Sequence, residues 1–272
     1  MSVAVLARKE LRDARRNRWF ALFAAGFAML ALALSWLGLS GLGRFGVAGF
    51  GRTSASLLNL VIFIVPLMGL TIGALSVAHE REQGTLLTLL AQPITPVELL
   101  LGKFAGAATA LVAAILFGFG VSGMVIGGYG GAAQLGGYLW LLGFTLLLGL
   151  AHLSIGFLLS VLAPKTATAL SVALLLWLGV VLFSDLALMG SSFVLHLSAH
   201  QLLWLSLLNP AQVFKLAALQ ALNGNLELLG AAGLYARDAL GGLLLPVLTA
   251  LLAAWIVLPL GAALWGVRRC DG

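Results

Sequence analysis

His79-Glu80-Arg81-Glu82-Gln83-Gly84-Thr85-Leu86-Leu87-Thr88-Leu89-Leu90-Ala91-Gln92-Pro93-Ile94-Thr95-Pro96-Val97-Glu98-Leu99-Leu100-Leu101-Gly102-Lys103 is a polar island between two long apolar runs. Thr53 to Ala78 before it and Phe104 to Pro164 after it hold no Asp, Glu, Lys or Arg. Runs of that length bury their side chains in lipid, where about 20 apolar residues cross the hydrocarbon core. The island is thus the place where a membrane-embedded chain returns to water. A simple anchor has no need of such a segment; a membrane protein gripped by a soluble partner does.

Composition agrees. The chain is 61% hydrophobic and 9% charged, with a mean hydropathy of +1.10, against about 25% charged residues in a soluble domain. The class is an all-α integral membrane protein. A net charge of +6 would suggest nucleic acid in a soluble chain, but here it belongs to Lys and Arg placed at span ends, and no nucleic-acid partner is expected. The single Cys270 lies in the tail and permits no intrachain disulfide. The apolar stretch opening at Trp19 is too long for a cleaved signal peptide.

Six spans follow from the uncharged runs: about Trp19–Leu39, Ser56–Ala78, Lys103–Gly127, Gly137–Leu162, Thr166–Ser184 and Leu240–Val267. Pro164-Lys165 forms a tight turn between the fourth and fifth. An even number places both termini on one side. Arg8, Lys9, Arg12, Arg15, Arg16, Arg18, Arg81, Lys103, Lys165, Arg268 and Arg269 then share a face, leaving Arg44, Arg52, Lys215 and Arg237 opposite. The positive-inside rule predicts that the richer face is cytoplasmic. Residues 1–18 read as a basic interfacial arm along the inner leaflet, or as a plain consequence of the same rule.

Residues 186–238 break the pattern. They are too apolar for a soluble domain, yet Asn209-Pro210, Lys215, Asn223-Gly224 and Glu227 interrupt them. Asn209 suits the cap of a helix whose first residue is Pro210, ending near Leu222 before Asn223-Gly224. The expectation is an outer segment that is interfacial or re-entrant, offering Leu202, Trp204, Asn209, Pro210, Val213 and Phe214 to a partner. Lipid-facing burial explains the same apolar surface. A seventh span over Leu186 to Leu208 is the alternative, and it would put Arg268 and Arg269 outside.

Inside the island (79–103), Gly84-Thr85 opens a run in which Leu86, Leu89 and Leu90 share one helical face, ended by Gln92-Pro93. Thr95-Pro96-Val97-Glu98 supplies a capping box with proline at the first helical position. The product is a helical elbow with an apolar face, flanked by Glu80, Arg81 and Glu82, suited to docking or to packing on neighbouring helices.

The pattern Glu82-Gln83-Gly84-Thr85-Leu86…Pro93…Gly102-Lys103, with the basic arm and six spans, resembles the type-2 ABC exporter permeases over essentially the whole chain. Two further stretches are most similar to one branch, the permeases of the machinery that installs copper and sulfur in nitrous oxide reductase. They are Arg8-Lys9-Glu10-Leu11-Arg12-Asp13…Arg16-Asn17-Arg18-Trp19 and Leu207-Leu208-Asn209-Pro210…Val213-Phe214-Lys215-Leu216. One departure is Gln83, which stands where the family carries an acid before Gly-Thr. The resemblance implies a single permease domain over 1–272 in a bacterial inner membrane. It implies that Glu80, Glu82, Gln83, Gly84, Thr85, Leu86, Leu89, Leu90 and Pro93 form a coupling segment for a separate ATPase, with ATP and Mg on that subunit. It also implies a second copy of the chain and a periplasmic copper-binding accessory partner. An exporter of a lipid, drug or polysaccharide has the same architecture, and a membrane scaffold or enzyme is the reading from another class.

The remaining signals are weaker. No phosphate-binding loop occurs, so the chain has no ATPase motif, and no cofactor or catalytic residue is expected on it. His79-Glu80-Arg81-Glu82-Gln83 misses the zinc-protease pattern at its second ligand. Gly102, Gly106, Ala110, Ala114, Gly118 and Ser122 make a small-residue stripe that lets helices approach closely. His196 and His200 stand four apart and suit copper, though solvated surface histidines are the more ordinary case. His152 lies deep in the fourth span and reads as a hydrogen-bonded core residue.

Overall fold

A computed structural model describes residues 7–9, 12, 18–40, 46–85, 95–130, 135–184, 198–222 and 230–269. Among them the chain is helical, with no strand. The elements are α1 (Arg18–Ser40), α2 (Gly46–Glu82), α3 (Pro96–Gly130), α4 (Leu135–Leu162), α5 (Thr166–Leu178, continued by a π-helical turn, Gly179–Phe183), α6 (Ala199–Leu207), α7 (Pro210–Ala221), α8 (Gly230–Leu240) and α9 (Leu244–Arg269).

Five stretches are long and apolar enough to cross a membrane: Ser56–Glu82, Pro96–Met124, Gly136–Leu162, Thr166–Phe183 and Gly233–Val267. Helix α1 is 23 residues long, its apolar part Ala21–Trp36 is shorter than these five, and the bent pair Ala199–Leu207 with Pro210–Ala221 would make a sixth span if it crosses as one. A multi-pass membrane protein is the outcome. Helix α3 begins at Pro96 as the capping box predicts, whereas α2 begins at Gly46, ahead of the expected span, and a 3₁₀ turn at Gly241–Leu243 separates α8 from α9. Local chemistry accounts for two of these. Thr95 and Glu98 form the expected reciprocal cap, with Glu98 N–H donating to Thr95 Oγ1 at 3.2 Å and Thr95 N–H to Glu98 Oε2 at 2.9 Å. Gly241 adopts φ 49°, a left-handed conformation open to glycine, where α8 gives way to α9.

Helices α2 and α4 make the most extensive pair, and α4 also packs on α9 while α1 lies against α2 and α3. Glycine sets the α2–α4 distance. A Cβ on Gly73 would fall 2.5 Å from the Leu153 carbonyl oxygen, and one on Gly69 would fall 2.7 Å from that of Gly149. From the other side, a Cβ on Gly156 would meet the Leu70 oxygen at 2.6 Å. Backbone therefore touches backbone, the contact by which helices associate where lipid offers no hydrophobic drive. Phe144, Phe157, Met68, Leu111 and Leu148 fill the fully buried layers around this seam.

The α6–α7 pair is bent by 109°, which makes residues 198–222 a broken or re-entrant hairpin; residues 186–197 of the alternative seventh span lie outside the described residues. Ser198 and Gln201 close a capping box on α6. Asn209 caps α7 through Oδ1, which accepts from Ala211 N–H at 2.9 Å, with Pro210 at the first position as the sequence suggests.

Candidate functional site

The polar island does not sit apart from the bundle. His79 to Glu82 continue α2 for a last turn, and Gly84, at φ 71°, ends the helix, its N–H donating to the Arg81 carbonyl at 3.2 Å. Leu86, Leu89, Leu90 and Pro93 lie outside the described residues. What is described is how the two ends of the island are tied.

Three consecutive side chains reach three different helices. Glu80 Oε1 pairs with Lys103 Nζ of α3 at 2.9 Å, and the lysine is only 3% exposed. Arg81 donates to the carbonyls that end α4, Nη1 to Ala163 at 2.6 Å and both guanidinium nitrogens to Val161 at 3.1 Å. Glu82 Oε2 accepts the first backbone N–H of α5, from Thr166, at 3.1 Å. Helix ends carry partial charges, negative at the C-terminus and positive at the N-terminus. Arg81 and Glu82 thus straddle the Ala163–Lys165 turn, each placed on the helix end of opposite sign. Ser160 adds a tie, its Oγ accepting from Val77 N–H and Ala78 N–H at 2.9 and 2.8 Å.

Glu80 and Glu82 of the expected coupling segment are engaged within the chain, Glu80 by Lys103 of α3 and Glu82, still exposed, by the first N–H of α5. Gln83 and Thr85 remain exposed, with Gln83 Nε2 beside His79 Nε2 at 2.9 Å. On α3, Thr95 donates its N–H and hydroxyl to Glu98 Oε2 at 2.9 and 3.0 Å. Sequence reading missed the Arg81 role, since a charge beside an island looks solvated until the neighbouring helix end is in place.

The hairpin at the other end brings a correction. Leu202, Pro210, Val213 and Phe214 are buried, Val213 and Phe214 completely, because α7 packs against α4 and α9. They cannot offer a partner surface. Trp204, Leu205 and Leu208 are the exposed large apolar residues of this segment. Asn209 spends its amide on the chain itself, Nδ2 donating to the Val180 carbonyl at 2.9 Å.

Gly102, Gly106, Ala110, Ala114 and Gly118 are all buried on α3, and a Cβ on Gly118 would strike the Phe27 ring of α1 at 2.5 Å. Beside that contact Ser35 and Ser122 hydroxyls meet, and Tyr138 Oη donates to the Phe119 carbonyl at 2.6 Å. His196 lies outside the described residues. His200 Nε2 accepts from Trp204 Nε1 at 2.8 Å, which occupies the lone pair a metal would need. Among the described residues no group of three or more His, Cys, Asp or Glu could hold a metal ion. His152 is fully buried, and its Nδ1 donates to the Leu148 carbonyl at 2.9 Å.

Comparison with known proteins supplies the frame for these contacts. A family model described as ABC-2 family transporter protein matches residues 4–269. The probable ABC transporter permease protein NosY of Pseudomonas aeruginosa is 38% identical over 220 residues, covering 79% of this chain and 80% of that protein. Its namesake from Stutzerimonas stutzeri is 34% identical over 235 residues, covering 84% and 85%.

Proposed function

The chain belongs to the ABC-2 transporter family as a membrane-embedded permease component, and we propose that it couples a separate ATPase to work on the far side of the membrane. The reading is carried by one observation: likeness to two NosY permeases over about four-fifths of each chain. On it, the protein serves in copper- and sulfur-site maturation of nitrous oxide reductase in a bacterial inner membrane. Both termini and the 79–103 segment then lie in the cytoplasm, as the distribution of basic residues favours. The subunit works as a two-fold pair with two ATPases, which hold ATP and Mg. A copper-binding accessory protein meets the periplasmic hairpin, where Trp204, Leu205 and Leu208 offer apolar surface.

Mechanical transmission fits the residues better than a hydrophilic path. Among the described residues, the stretches 56–78 and 104–162 present no Asp, Glu, Lys or Arg to line one. Residues 80–82 at the end of α2 are tied to α3, α4 and α5, so displacement of that end reaches three helices at once.

Co-expression with the ATPase subunit and native mass spectrometry test the proposal. Two copies of each subunit are expected from the wild type. Leu89→Asp should lose the ATPase by placing a charge in an apolar contact. A complex with one copy of this chain would overturn the pairing, and undiminished ATPase on Leu89→Asp would overturn the docking assignment.

A further inference from the structure

Helix α5 is the least covered of the spans. Ala169, Ala173 and, in the π-helical turn, Val181 are its buried residues, while Leu175 is 68% and Phe183 63% exposed. In lipid, apolar contact alone gives such a helix little reason to stay in place. Polar ties hold it instead, and their positions are informative. At one end Thr166 N–H meets Glu82. Two-thirds of the way along, Trp177 Nε1 donates to the Phe63 carbonyl of α2 at 2.9 Å. At the other end, the π-helical turn Gly179–Phe183 presents the Val180 carbonyl, which accepts from Asn209 Nδ2 at 2.9 Å and from Ser184 Oγ at 2.6 Å. Gln212 Nε2 donates to that same Ser184 Oγ at 3.1 Å.

From Thr166 to Ser184 the helix spans about 28 Å, close to the hydrocarbon thickness. One end is fixed to the polar island and the other to the α6–α7 hairpin. A π turn widens the helix, redirects its carbonyls and recurs at functional positions. Here the turn contains Val180, whose carbonyl meets the hairpin amide.

We propose that α5 is the strut that carries displacement of the 79–103 segment to the α6–α7 hairpin, with Asn209 and Gln212 as the positioning residues that join strut to hairpin. The proposal rests on the ATPase-coupled reading above and names its route. The competing route is direct packing of α7 on α4 and α9.

The test uses the full chain with its ATPase subunit in lipid nanodiscs, and hydrogen exchange read with and without ATP plus vanadate. In the wild type, exchange should change both in 79–103 and in 198–222. Asn209→Asp combined with Gln212→Leu removes both donors, while the new carboxylate still caps α7 at Ala211. The hairpin response should disappear in this variant and the response in 79–103 should remain. Asn209→Ser, which also keeps a capping oxygen but cannot reach Val180, should weaken the hairpin response in a second background. An undiminished hairpin response in either folded variant would overturn the strut in favour of direct packing. A wild type that responds in 79–103 but never in 198–222 would overturn the strut alone. No response at either end would overturn the ATPase-coupled reading itself.

Discussion

The α2–α4 seam and helix α5 are both spans of one bundle, yet different forces hold them. At the seam Gly69, Gly73 and Gly156 bring two backbones into contact, and dispersion over many atoms does the binding. Helix α5 lies mostly bare and is placed by a few hydrogen bonds at its two ends and at Trp177. The difference teaches how a membrane protein separates a rigid part from a movable one. A close-packed seam loses contact everywhere when it shifts, whereas a tethered helix can tilt or slide while its end groups stay bonded.

The largest expected effect is at the seam. Gly73→Leu forces α2 from α4 and should destabilise the protein by about 3 kcal/mol, read as a lower unfolding temperature in detergent. Gly143 on α4 has open space around it, so Gly143→Ala should leave that temperature nearly unchanged. Equal losses in the two variants would refute the contact described here.

Next comes the Glu80–Lys103 pair, which joins the seam to the island. Lys103→Met strands the mostly buried Glu80 carboxylate and should cost about 2–3 kcal/mol. The double variant Glu80→Leu with Lys103→Met should recover most of that loss, since both charges then go together. If the double variant is no more stable than the single one, the pair is not what matters at this junction.

The smallest effect belongs to the tether. Trp177→Phe keeps the ring and deletes its donor, removing about 1 kcal/mol. Its signature is local: faster hydrogen exchange in α5 with the α2–α4 seam unchanged. Exchange that rises equally in both would mean that α5 is part of the seam rather than tied to it.

Much of this was legible in the residues. Membrane class, five of the expected spans and both capping motifs, Thr95–Glu98 and Asn209–Pro210, depend on composition, on helical period and on contacts within four residues, and a linear sequence displays all three. The apolar residues of 198–222 were legible as apolar but not as buried. Val213 and Phe214 look like a docking surface until α4 and α9 are in place to cover them.

The sequence by itself determined that this chain lives in lipid, where α3 and α7 start, and which family it resembles, because hydropathy and capping are local properties. Only the tertiary structure decided what the charges at Glu80, Arg81 and Glu82 are for. Their partners are a lysine on α3, the last carbonyls of α4 and the first N–H of α5. Two of those are backbone groups, whose partial charge appears only where a helix happens to end. No residue type records that position, so it could be read only after the helices had been packed.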